Sequence, residues 1–186
     1  MNQNIKVQKI TRTAILLAIA IVFQMAGKYM GPNNNFIVGP AVNAVLFVAT
    51  AVTGLWGGAA ISVLAPLISA ITNKAAIAPI ILAYSPFIAA GNFILVLTFY
   101  LLMKKNQITA VIAASVLKAA FLFATIKGFI HFLTPVLDIP SKVATVLVGL
   151  FSWPQVVTAV IGGTIALFII KILKKNLENM PLYCSI

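Results

Sequence analysis

The stretch Ser115-Val-Leu-Lys118-Ala-Ala-Phe-Leu-Phe-Ala-Thr-Ile-Lys127-Gly-Phe-Ile-His131 decides how this chain is read. Its apolar background is that of a membrane-crossing helix, yet it carries two lysines and the only histidine of the sequence. A charge near the centre of a bilayer costs at least a few kcal/mol, so an intramembrane cation marks a functional site by default. Lys118 is therefore the first pointer to a binding site, and the remaining residues read as its container.

Composition supports the membrane reading. The chain of 186 residues is 62% hydrophobic, only 8% charged, and has a mean hydropathy of +1.10. Soluble domains are about 45–50% apolar and about 25% charged. The apolar runs suit helices rather than barrel strands. The fold expected is an all-α membrane protein, residues 1–186 forming one domain of six transmembrane helices, at about 13–30, 39–54, 58–72, 85–103, 108–134 and 141–172. The first apolar run lacks a small-residue cleavage site after it and reads as a retained span rather than a signal peptide.

Prolines and glycines set the expected boundaries. Pro40 reads as the first turn of span 2, where a missing N–H is not needed. Gly54-Leu-Trp-Gly-Gly58 reads as a tight turn, and Pro66 as a kink in span 3. Span 4 starts at Pro79 or at Pro86; the second choice makes Ser85 its N-cap and Asn73–Tyr84 an outer connection. Span 6 is read as one helix with Pro154 inside it.

The net charge of +11 comes from thirteen Lys/Arg and two acidic residues. Eight of those cations (Lys6, Lys9, Arg12, Lys104, Lys105, Lys171, Lys174, Lys175) fall on one side of the six-span arrangement. The positive-inside rule then places both termini in the cytoplasm and accounts for the charge without nucleic acid. The lone Cys184 offers neither a disulfide framework nor a metal cluster, and no cofactor is expected on this chain.

Chemistry is carried by few residues. Asn43, Asn92, Lys118, Lys127, His131 and Gln155 are the polar candidates within spans. No Asp or Glu lies among them to neutralise Lys118, which points to a ligand's negative group or to amide and backbone oxygens. Amide and hydroxyl side chains also join helices without touching any ligand, and that reading competes for Asn43 and Gln155. Lys127 and His131 stand one turn apart near the outer end, where snorkelling would satisfy them. Nine residues advance about 900° on an ideal helix, so Lys118 and Lys127 point to opposite sides. Tyr84, Trp153, Phe151, Phe87 and Phe36 offer rings for stacking, or an interface belt. Ala14 and Ala18, four apart on span 1, permit close approach of another helix. No P-loop, hydrolytic triad or intramembrane carboxylate is present, so ATP hydrolysis, bond cleavage and a carboxylate proton relay are not expected of this chain.

Several patterns in order, Gly39-Pro-Ala-Val-Asn43-Ala, Gly54-Leu-Trp-Gly-Gly58, Gly91-Asn92, Lys118, and Phe151-Ser-Trp-Pro-Gln155 running to Ile161-Gly-Gly163, resemble the substrate-binding S components of energy-coupling factor (ECF) vitamin transporters. The resemblance covers nearly the whole chain. It implies a non-enzymatic subunit in the plasma membrane of a prokaryote that captures a water-soluble vitamin at the outer face. It further implies a transmembrane coupling (T) subunit and two ATPases as partners, the ATP being used by those ATPases, and release by toppling in the bilayer. The substrate-binding set is then Asn35, Asn43, Tyr84, Asn92, Lys118, Lys127, His131, Trp153 and Gln155. Ala14 and Ala18 map to the coupling-subunit contact, and Gly31–Val38 to a loop that caps the ligand. A cationic interior without acids suggests an anionic ligand, of pantothenate or folate type. The alternatives are a stand-alone carrier for a small polar solute and a non-transport assembly protein.

Overall fold

The computed structural model of the chain describes residues 3–30, 35–72, 78–137 and 140–177. The described residues contain no strand. The helices are α1 (Gln3–Gly27), α2 (Asn35–Thr53), α3 (Leu55–Ile71), α4 (Ala78–Leu102), α5 (Gln107–Leu137), α6 (Ser141–Leu150) and α7 (Trp153–Leu177). Five stretches are long and apolar enough to cross a membrane: α1, α2, α4, α5 to Phe132, and the run Ser141–Lys175 that α6 and α7 share. The sixth apolar helix, α3, is shorter at 17 residues.

Several helix boundaries differ from those expected. The basic lead before residue 13 is already helical. Helix α2 begins at Asn35, so Pro40 lies inside it rather than in its first turn. Of the expected Gly54–Gly58 turn only Gly54 is non-helical; its φ of 84° is the left-handed geometry that glycine adopts without Cβ strain. Helix α4 begins at Ala78, with Pro79 in its first turn and Pro86 in its interior. Ser85 is therefore no N-cap. Its hydroxyl donates to the Leu82 carbonyl at 2.8 Å, which is the carbonyl that Pro86, lacking an N–H, leaves without its helical donor. Pro66 does lie within α3.

Span 6 is not one helix. The chain breaks at Phe151-Ser152, and Pro154 stands in the first turn of α7 rather than mid-helix. Pro154 has no N–H for the Leu150 carbonyl. The Gln155 side-chain amide supplies one at 3.1 Å and bridges the break. Helix α5 has a side-chain cap: Asn106 Oδ1 accepts from the Ile108 and Thr109 N–H groups at 2.9 and 3.2 Å.

Helix α2 is the central element, buried over most of its length and packed against α1, α3, α4 and α7. Helix α5 packs against α4, α6 and α7. Among the described residues α2 and α5 have no backbone contact, and neither do α4 and α7. The four helices α2–α4–α5–α7 thus form a closed ring whose two diagonal pairs make no backbone contact among the described residues. Helices α1 and α3 lie outside the ring, α1 against α2 and α3, and α3 chiefly against α4 and also α2.

The α2–α7 side of this ring is held close by Gly162. A Cβ there would lie 2.5 Å from the Pro40 carbonyl oxygen and 2.8 Å from Asn43 Cβ. One of those is backbone, so only glycine lets the two helices approach this far. Hydroxyls in the helices mostly serve their own backbone: Thr50 and Thr53 on α2 and Ser115 on α5 each donate to the carbonyl four residues back at 2.7 Å. They need no other partner in an apolar surround.

Candidate functional site

Lys118 projects from α5 into the ring and is 4% exposed; Asn43 on α2 is 2% exposed. The lysine Nζ donates to Asn43 Oδ1 at 2.6 Å. A single side chain thus crosses a diagonal of the ring that the backbones leave open. Both acidic residues of the sequence, Asp138 and Glu178, lie outside the described residues. The polar partner recorded for the Lys118 ammonium is a neutral amide, which leaves two of its three donors for something else.

Asn92 on α4 is 4% exposed, and its amide makes no hydrogen bond among the described residues. It is not sealed either. Among the described residues, the side-chain polar atom both shut off from solvent and unpaired is Gln24 Oε1. The Asn92 amide therefore borders reachable space. Asn43, Asn92 and Lys118, far apart in sequence, are the buried amide and lysine side chains among the described residues.

The aromatic residues divide into two groups. Tyr84 is buried, and its hydroxyl stands 2.9 Å from both the Leu122 carbonyl, to which it donates, and Thr125 Oγ1. Its ring meets Phe87 in a stack at 5.4 Å, and Phe129 and Phe151 edge-on at 5.1 and 4.8 Å. The cluster ties α4, α5 and the α6–α7 break together, so the Tyr84 hydroxyl is already engaged by protein. Phe129 and Thr125 escaped the sequence reading. Their spacing with Leu122 and Ile126 is a helical stripe, the signal that could have found them. Trp153 is exposed, with its ring 6.2 Å from that of the exposed Phe36 at the start of α2.

The other candidates lie apart from Lys118. Lys127 is exposed, with Nζ 4.2 Å from the centroid of the Phe123 ring. His131 is exposed and meets Phe132 edge-on. Gln155 is taken up by the helix break described above. Asn35 is exposed at the first position of α2; residues 31–34 of the expected capping loop lie outside the described residues, and 35–38 are helical. Ala14 and Ala18 are exposed on α1. A surface depression of about 480 Å³, lined by Ser141, Lys142, Thr145 and Val146, lies at the start of α6 and shares no residue with the Lys118 cluster. Among the described residues no three His, Cys, Asp or Glu side chains stand together as a metal site would need.

Apolar helices of this length, ringed around a buried cation and two incompletely satisfied amides, define a multi-pass integral membrane protein with a polar interior. The family model for the ECF transporter substrate-specific component matches residues 8–174, and the chain belongs to that family. Comparison with curated proteins and with solved structures gives no match. Membership makes the chain a substrate-specific transporter subunit, from a family of transport proteins rather than enzymes. A small-molecule substrate and association with the T and ATPase modules follow from it.

Proposed function

We propose that this chain captures a water-soluble, anionic micronutrient of vitamin type at the outer face of a prokaryotic plasma membrane and delivers it inward through an ATP-driven ECF module. In this reading α3 is the sixth crossing and α6–α7 are two halves of one, with both termini cytoplasmic. Seventeen residues is at the short end of the range of about 17–25 that crosses a bilayer. Ala14 and Ala18, exposed on α1, meet the T subunit, and the loaded subunit topples to release its cargo. The chain binds no cofactor itself; ATP is consumed by the partner ATPases.

The observation that carries this reading is the Lys118–Asn43 pair. An ammonium enclosed by apolar helices with one neutral acceptor is costly to keep. A carboxylate or similar anion arriving beside it would supply the missing counter-charge and accept its remaining protons. The test is binding by the purified chain. Any co-purified small molecule is released and identified by mass spectrometry, and a vitamin panel is titrated. One stoichiometric anionic ligand is expected, with Lys118→Ala weakening it by about 100-fold, the scale of a lost charge-assisted hydrogen bond in a dry site. A neutral ligand, or unchanged affinity in Lys118→Ala, would overturn the anionic assignment. Uptake in cells lacking the ATPase module would overturn the coupled one.

A further inference from the structure

The Asn92 amide is buried and makes no hydrogen bond among the described residues. Two packing contacts fix where it stands. Gly91, its neighbour, packs on the Leu122 side chain, one turn along α5 from Lys118. Leu95, Val96 and Phe99 follow Asn92 at the three-, four- and seven-residue spacings of one helix face, and all are buried. That face carries Phe99 against Phe47 of α2, ring centroids 4.8 Å apart, and Phe47 is one turn from Asn43. Asn92 thus lies on the buried face of α4 that meets α2, α3 and α5, at a depth about one helical turn, roughly 5 Å, from the Lys118–Asn43 pair toward the start of α4.

A buried amide left unpaired costs free energy, whereas an amide that only joins helices is paired by them. Asn92 has both its acceptor and its donors unspent among the described residues. We infer that Asn92 is a specificity-determining residue, reading a neutral amide or hydroxyl that the ligand carries about one helical turn from its anionic group. The inference rests on the assignment of Lys118 as the anion-binding residue and narrows the ligand class. The substrate is a small carboxylate or comparable anion with a second, uncharged hydrogen-bonding group, not a simple fatty acid or an inorganic anion. A site whose buried polar group is matched by the right ligand discriminates strongly against an analogue lacking the partner, because that group then stays unpaired.

Three probes separate the two ends of such a ligand: N-acetyl-4-aminobutanoate, which has both groups; heptanoate, which has the carboxylate alone; and N-butylacetamide, which has the amide alone. Binding to the full chain in detergent is followed by calorimetry. The amide-bearing carboxylate is expected to bind about tenfold or more tightly than heptanoate, the worth of one good hydrogen bond. In Asn92→Leu this preference is expected to collapse to near unity while heptanoate affinity holds. Asn92→Ser, which keeps a hydroxyl, is expected to retain part of it. Lys118→Met is expected to abolish binding of both carboxylates. Thermal unfolding supplies the readout that a helix-joining amide would move: Asn92→Leu should leave the midpoint unchanged or raised. If Lys118→Met abolishes binding but Asn92→Leu keeps the preference, or if the wild-type chain shows none, the inference falls and the anion site stands. If neither carboxylate binds, or Lys118→Met changes nothing, the anion site falls and the inference falls with it.

Discussion

At the scale of residues, the Lys118–Asn43 pair behaves as a unit of opposed costs. The apolar interior penalises the ammonium, and Asn43 Oδ1 offsets part of that penalty at 2.6 Å. Asn43→Leu should strand the charge and lower unfolding free energy by about 2–3 kcal/mol, the range for hydrogen bonds to charged groups. Adding Lys118→Met should restore stability to the wild-type level or above it, since a buried charged or polar pair replaced by apolar groups of similar volume is often neutral or stabilising. Denaturation of the two single variants and the double variant checks this, and an additive double variant would contradict it. The lysine was legible in the sequence because a cation in an apolar run has no ordinary reason to be there. Its partner was not, because the two residues are 75 apart in the chain and meet only across the α2–α5 diagonal. The acceptor of Gln155 was hidden for a related reason: nothing in its type or depth says that its amide will reach the carbonyl of Leu150.

At the scale of elements, the apolar runs gave the helices in their order, and the prolines gave the errors. Pro40 was expected at a helix start and lies inside one. Pro86 was expected at a start and lies mid-helix, and Pro154 was expected inside a helix and stands at a start. The cost of a proline depends on whether some other donor reaches the carbonyl it abandons. That depends on side-chain geometry, not on the proline itself. Ser85 serves Leu82, so α4 runs through Pro86 unbroken. Gln155 serves Leu150 across a break. Gln155→Leu should therefore cost about 1–2 kcal/mol in the native chain, the net worth of a partly buried hydrogen bond and its stranded acceptor. In a Pro154→Ala background the restored backbone N–H can take the Leu150 carbonyl, and the same substitution should then be close to neutral. Thermal unfolding of the four chains decides; an equal cost in both backgrounds would show that Gln155 is not compensating for the proline.

At the scale of the whole molecule, the charge distribution predicts orientation. Eight cations cluster at one set of helix ends, around α1, the α4–α5 connection and the end of α7. By the positive-inside rule that end is expected in the cytoplasm. The single cysteine, Cys184, follows α7 and provides a native probe. A membrane-impermeant maleimide should label it only after intact cells are permeabilised, and labelling from outside would reverse the assignment. The ring of α2, α4, α5 and α7 also bears on how the protein is made. Helix α2 precedes α3 to α7 in the chain, yet its most extensive neighbour is α7. Until residues 153–177 have been synthesised and inserted, the α2 surface around Pro40 and Asn43 that Gly162 covers lacks its partner. The packing of the central helix is therefore completed only by α7, and a chain cut before residue 153 should be degraded faster than the full chain.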